Sequence, residues 1–241
     1  MRVAALADVH GNATALEAVL TELERERLDL IVSCGDLTWG ALPRETVALL
    51  EPWRERALFV RGNSERELVE RKLADSEVAR WEWERHDSPE LREYVSRTQS
   101  HVSVDVGGIG PTLFCHGSPR SDEECVTPAT PEARAREFAK GVDERVIVTA
   151  HVHIQFDREV AGIRSINAGS VGLPYEGKPG AYWALLGPEV EMRRTEYDVE
   201  KAVERYRATD FPGVEELVEM MLTPPEPREV IDHAEQVVFS G

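Results

Sequence analysis

Five short motifs carry side chains that bind divalent cations, and each sits at the end of an apolar run. They are Asp8-x-His10 in "LADVHGN", Gly35-Asp36 in "SCGDLT", Gly62-Asn63 in "VRGNSERE", His116-Gly117 in "FCHGSPR" and His151-x-His153 in "TAHVH". The two oxygens of one aspartate can bridge two ions. Two imidazoles one residue apart, at a point where the backbone leaves regular pleating, can serve neighbouring ions. Carboxylate, imidazole and amide oxygen without thiolate form a donor set that suits Mn, Fe, Co, Ni or Zn.

Taken singly, each motif has a plainer explanation. Asp36 and Asn63 read equally well as turn or cap residues, and a lone His116 as a packing group. The conjunction decides, because four of the seven histidines fall into these strand-end motifs, together with two aspartates and an asparagine. The other histidines, His86, His101 and His233, lack such context and read as surface or packing residues. Cys34 and Cys115 lie beside the motifs. Cys115 adjoins His116 on a strand, so its side chain points to the opposite face; both thiols read as buried core.

The elements that must position these residues follow from hydrophobic period. "RVAALA" (2–7), "LDLIVSC" (28–34) and "ALFV" (57–60) are short apolar runs feeding polar loops, the pattern of buried strands. Ala15, Leu16, Val19, Leu20 and Leu23 share one helical face, with Thr14-x-x-Glu17 as a capping box, and Ser64-x-x-Glu67 reads as a second box starting the helix after Asn63. Strand, loop and helix repeated three times predict α/β layering with the polar residues at the strands' carboxyl ends. Residues 75–99 predict an inserted helical lid or flank starting again at Ser88-Pro89. Its Trp81, Trp83 and Tyr94 read best as packing against the body. Beyond it, "HVSVDV", "PTLFCH", "RVIVTAHVH", "IRSIN", "AYWALL" and "EVEMRRTEY" predict a second sheet. One domain over 1–241 is expected, with a core over 1–196 and a helical C-terminal extension over 197–241.

Composition narrows the function. The 241 residues hold 28 basic against 45 acidic groups, a net charge of −17, and the acidic residues are scattered. Such a chain repels polyphosphate backbones and anionic lipid, so broad nucleic-acid or membrane binding is not expected unless a local positive centre exists. Three cysteines without C-x-x-C spacing suggest neither a disulfide framework nor a zinc knuckle. No apolar run approaches the ~18–20 residues of a membrane span. A reducing cytoplasm is the expected location, and the assembly state is left open.

Together, Asp8-x-His10, Gly35-Asp36, Gly62-Asn63, His116 and His151-x-His153 resemble the calcineurin-like metallophosphoesterase superfamily, over about residues 1–196. "CHGSPR" and "INAGSVGLPYEGKPGAYWALL" (166–186) are similar to its small prokaryotic phosphodiesterase branch. The resemblance implies a four-layer α-β-β-α sandwich with two mixed β-sheets. It also implies two divalent ions, manganese by family expectation, with Fe, Zn, Ni or Co as alternatives. One ion would be held by Asp8, His10, Asp36 and His153, the other by Asp36, Asn63, His116 and His151, with Asp36 as the bridge. Asp36, Asn63 and His116 are the implied catalytic positions. The implied reaction is hydrolysis of a small phosphorylated substrate, mono- or diester, by in-line attack of a metal-bridging hydroxide. Alternatives are a phosphoprotein or dinucleoside-polyphosphate phosphatase of the same superfamily and a non-catalytic scaffold; the filled ligand positions argue against the scaffold.

Two positions depart from the family pattern. Ser64 stands where many members carry a histidine that protonates the leaving oxygen, although the small prokaryotic branch commonly lacks it. Ala150 stands where glycine usually precedes H-x-H. Arg61, Arg66 and Arg120 are candidates for gripping phosphate oxygens.

Overall fold

The computed structural model describes residues 1–71 and 76–236. The first apolar run becomes β1 (Val3–Leu6), which pairs in parallel with β2 (Leu30–Ser33), itself parallel to β3 (Ala57–Phe59). "AYWALL" and "EVEMRRTEY", expected in the second sheet, instead complete this one on its other side, because the chain returns to pair along the free edge of β1. β9 (Ala181–Leu186) lies antiparallel to β1, and β10 (Val190–Thr195) antiparallel to β9. The order is β10-β9-β1-β2-β3.

The second sheet has the order β4-β5-β6-β8-β7. Its strands are β4 (His101–Val106), β5 (Gly110–Cys115), β6 (Val146–Thr149), β7 (Phe156–Val160) and β8 (Ile163–Asn167). It too is mixed: β5, β6 and β8 run parallel, while β4 and β7 flank them antiparallel. The sequence reading missed β7. "FDREV" buries only its two ends as an edge strand, and its three charged central residues mask the apolar pattern.

Both faces of β1 are buried, as a central parallel strand requires. Val3, Ala5 and Ala7 join Val32, Phe114, Val148 and Ile166 in a core between the two sheets. Ala4 and Leu6 pack outward with Ile31 and Trp183 against Leu16, Val19, Leu20 and Leu23 of α1 (Ala13–Leu23). On the outer face of the second sheet, Leu113, Cys115 and Ile147 meet Ala135 and Phe138 of α6 (Glu132–Phe138). The result is helix, sheet, sheet, helix.

Both capping boxes read from the sequence fail. Helix α1 is capped two residues earlier, by Asn12, whose Oδ1 accepts the Ala15 N–H at 3.0 Å; the Thr14 hydroxyl instead accepts from Arg205. Helix α3 (Asn63–Glu70) begins at Asn63 with Gly62 as its cap, and Glu65 rather than Glu67 returns to the cap N–H. The chain turns into α3 directly from the end of β3, so Ser64 already lies inside the helix.

The insert forms α4 (Glu77–His86) and α5 (Pro89–Arg97), the latter capped by Ser88 as expected; residue 75 lies outside the described residues. Two of its aromatics, Trp81 and Tyr94, pack on the body. Trp81 donates to Asp210 at 2.8 Å with its ring 5.0 Å from Phe211, and buried Tyr94 meets Phe59 edge-on at 5.4 Å.

The C-terminal extension folds back onto the first motif. It contains α7 (Val199–Arg207), α8 (Val214–Leu222) and α9 (Pro227–Ala234). Buried Tyr206 of α7 donates its hydroxyl to the carbonyl of His10 at 2.7 Å, and Asn12 reaches Tyr197 and Met221. Tyr206→Phe leaves that buried carbonyl without its partner. It should lower stability by about 1–3 kcal/mol, read as a lower urea midpoint at unchanged slope, whereas an unchanged midpoint would show that the contact contributes nothing.

Candidate metal centre

All seven candidate ligands are brought to one place, at the carboxyl ends of β1, β2, β3, β5 and β6. Backbone hydrogen bonds join the loops that carry them. Asp8 N–H donates to Gly35 O, His10 N–H to Asp36 O, and Ala150 N–H to His116 O, at 3.1, 3.0 and 2.7 Å. The backbone itself is bent to aim the side chains. Asp8, His10 and Asp36 have φ of 49°, His151 68° and His153 56°, so five of the seven sit in the left-handed region that non-glycine residues seldom enter.

The donors form two groups sharing Asp36. In the first, His10 Nε2 and His153 Nε2 are 3.2 Å apart, His153 Nε2 is 3.4 Å from Asp8 Oδ1, and His10 Nε2 is 3.9 Å from both Asp8 Oδ1 and Asp36 Oδ2. In the second, His116 Nε2 lies 3.0 Å from Asn63 Oδ1, 3.2 Å from His151 Nδ1 and 3.6 Å from Asp36 Oδ1. Donors that each stand about 2.0–2.2 Å from one ion are themselves about 3–3.5 Å apart. The spacings fit two cations.

Two further observations bear on the fit. The buried Oδ1 of Asp8 has no hydrogen-bond partner among the described residues, and a buried carboxylate oxygen without a donor is costly unless a cation meets it. Two imidazoles are also oriented from behind. His153 Nδ1 lies 2.6 Å from Leu173 O and His116 Nδ1 2.8 Å from Cys34 O. A carbonyl only accepts, so each Nδ1 donates and each Nε2 is turned inward with its lone pair available once neutral.

The titration behaviour follows the same grouping. Burial and the neighbouring His153 hold His10 down to about 4, and burial with His116 holds His151 down to about 4. For His153 and His116, burial is outweighed by the Asp8 and Asp36 carboxylates, and both are raised. Burial would raise both carboxylates too, but His153 and His116 pull Asp8 down, and His116, His10 and the Ser64 hydroxyl pull Asp36 down. In each imidazole pair one ring is thus raised and the other lowered.

Close approach is built into the loops. A Cβ on Gly62 would stand 2.0 Å from Asp36 Oδ1, so glycine is needed there for space. Ser64, read from the sequence as a cap, donates its Oγ to Asp36 Oδ1 at 2.6 Å and its N–H to the same oxygen at 3.1 Å. It supports Asp36. The three arginines offered for phosphate are engaged elsewhere: Arg66 with Asp122 and Glu123, Arg120 with Glu124, and Arg61 with Thr98.

The sequence reading gave no site role to Trp39 or Tyr175. Trp39 meets His10 edge-on at 5.5 Å, and Tyr175 stacks on His153 at 4.5 Å. "LTWG" and "LPYEG" each follow a motif stretch, which was the available signal. A 610 Å³ cavity lined by Leu37, Val47, Phe59 and Tyr94 contains none of the seven candidate ligands, so cavity size does not locate the chemistry.

The sequence model of the calcineurin-like phosphoesterase superfamily domain matches residues 1–187. The chain belongs to this superfamily. It is similar to a metallophosphoesterase from Sphaerobacter thermophilus at 25% identity and a TM-score of 0.73, covering 92% of this chain and 99% of that one. A hypothetical protein from Pyrococcus horikoshii shares the fold at 21% identity and a TM-score of 0.78, covering 93% and 99%. An uncharacterised protein of Methanocaldococcus jannaschii is 25% identical over 232 residues, 84% of this chain and 90% of its own. The superfamily implies divalent metal ions, and the two donor groups are where this chain offers to hold them.

Because His116 and His153 are raised above the usual histidine value, they carry protons at weakly acidic pH that a cation must displace. Metal affinity should fall as pH drops through their raised values, with His10 and His151 contributing only near pH 4. Mn²⁺ added to metal-free protein with an indicator dye should release more protons per ion at about pH 6 than at about pH 9, and equal release would contradict the assignment.

Proposed function

We propose that the protein is a phosphoester hydrolase that holds two divalent ions, one by Asp8, His10, Asp36 and His153, the other by Asp36, Asn63, His116 and His151. The observation that carries this reading is Asp36. Its Oδ2 lies 3.9 Å from His10 Nε2 and its Oδ1 3.6 Å from His116 Nε2, so one carboxylate faces both donor groups. When bound, such ions supply Lewis acidity toward a phosphoryl oxygen and make water acidic enough to ionise near neutral pH.

The chain's own part is charge, position and access. Two carboxylates against two divalent ions leave a net charge of about +2, with imidazoles and amide neutral, enough to hold a phosphate on an otherwise acidic protein. Asn63 and His151 are half-buried while the other five ligands are buried. An ester therefore approaches from the side of the second group, where Asp36, Asn63 and His116 are the catalytic positions.

Ser64 sets the preference among esters. Its hydroxyl is committed to Asp36, and serine is in any case no effective acid near neutral pH. A positioned general acid typically contributes about 10²–10⁴-fold. Small mono- or diesters whose leaving group departs without a proton are thus the favoured substrates. Manganese is the expected metal, the donor set also accommodating Fe, Co, Ni or Zn. Three free thiols, two of them buried, suit a reducing cytoplasm.

The test is a hydrolysis screen of aryl and alkyl phosphate mono- and diesters with each metal, on wild type and Asp36→Asn. The wild type should turn over aryl esters fastest, and the variant should be slower by roughly 100-fold or more, about 2.7 kcal/mol. Metal-loaded wild type that hydrolyses no ester, or a variant equal to it, would overturn the proposal.

A further inference from the structure

Glu65 has no exposed surface, yet it is a carboxylate. Four donors surround it. Oε2 accepts the backbone N–H of Asp36 at 3.0 Å and of Gly62 at 2.9 Å; Oε1 accepts the N–H of Leu37 at 2.9 Å and the Tyr94 hydroxyl at 3.1 Å. Only the Gly62 contact is needed to start helix α3. The other three reach into the loop after β2 and into α5.

The two loops that Glu65 joins each carry a candidate ligand, Asp36 after β2 and Asn63 after β3. They touch so closely that a Cβ on Gly62 would overlap Asp36 Oδ1. Asp36 itself is held at φ 49°, in the left-handed region that residues other than glycine seldom enter. A carboxylate at the seam supplies two oxygens, and hence four acceptor directions, to three N–H groups that diverge from one point. No neutral side chain of that size does this, because an amide would turn donors toward donors.

We propose that Glu65 is a positioning residue whose carboxylate locks the loop after β2 to the loop after β3 and so fixes the separation of Asp36 from Asn63. Tyr94, donating from α5, sets the orientation of that carboxylate. The inference rests on the two-ion reading of the centre and adds what holds the two ions at a common bridge. It locates the control of the second ion in a residue that touches neither ion nor substrate.

The experiment compares wild type with Glu65→Gln and Tyr94→Phe as intact chains, by calorimetric titration of Mn²⁺ into metal-free protein. The visible spectrum of the Co²⁺-substituted forms and thermal melting are followed in parallel. Wild type should take two Mn²⁺ per chain. Glu65→Gln should keep the first ion near wild-type affinity and bind the second roughly 10- to 100-fold more weakly, with an altered Co²⁺ spectrum at two equivalents. Tyr94→Phe should shift the second ion in the same direction by less.

A folded Glu65→Gln protein that binds two Mn²⁺ as wild type does, with the same Co²⁺ spectrum, would overturn the proposal even if it melted lower. That pattern is what a purely stabilising group gives. Should Glu65→Gln not fold, Tyr94→Phe decides, and unchanged second-ion affinity there would overturn it equally. Wild type that binds two ions but hydrolyses no ester defeats the hydrolase reading and leaves this inference standing. Wild type that binds fewer than two defeats both.

Discussion

Side chains from five separate strand ends can converge only where the backbone stops being a strand, and here it stops in the left-handed region at Asp8, His10, Asp36, His151 and His153. Each such residue costs on the order of 1–3 kcal/mol, less for aspartate, whose short polar side chain tolerates the region best. The cost is offset by pairing that continues past the strands. Asp8, His10 and Gly11 donate in succession to Gly35, Asp36 and Leu37, and Gly172 donates back to Asp8. The parallel register of β1 on β2 is therefore carried into the loops, and the first two motifs become one rigid unit.

That rigidity concentrates charge where water has been removed. Asp8 and Asp36 are buried beside four imidazoles, and burial alone would push every one of these groups toward its neutral form. The facing imidazoles instead pull both carboxylates down. On the proposed two-ion reading, divalent cations would do the same with more charge and with directed bonds. Within each pair the two ring nitrogens face each other at 3.2 Å, a spacing that suits two ligands of one cation. A chain whose overall charge is −17 can in this way present a locally positive surface to a phosphate.

The sequence made the candidate ligand set and the α/β frame legible because both are written in contiguous residues: an apolar run, then a candidate ligand, repeated. What it hid depends on distant partners. Ser64 followed by Glu67 satisfies the local rule for a helix start, yet the helix takes its cap from Gly62 and Ser64 donates to Asp36, 28 residues away in sequence. Asn12 outcompetes Thr14 as a cap for the same kind of reason, with its amide also tied to Gly172 and Tyr197. His86, read as surface or packing, is buried and hydrogen-bonded to Thr38 of the loop after β2. Strand β7 was hidden differently: an edge strand with one solvated face has too few apolar residues to stand out.

These long-range contacts have a common target. Glu65 of α3 holds the N–H groups of Asp36 and Leu37, His86 of α4 meets the Thr38 hydroxyl, and Glu82 of the same helix accepts the Gly40 N–H at 2.8 Å. The loop from 36 to 40 is thus gripped along its length by buried polar groups that all come from the helices inserted between β3 and β4. Trp39, within that loop, is in turn set edge-on to His10 and to Phe211 of the C-terminal extension. A lid would contact this loop through its surface and leave it free to move. Buried carboxylates that satisfy its backbone and an imidazole that meets its Thr38 hydroxyl do the opposite, because each contact broken strands a buried polar group. The helices between β3 and β4 thus brace the loop that carries Asp36, and the position of that candidate ligand is maintained by side chains distant from it in sequence.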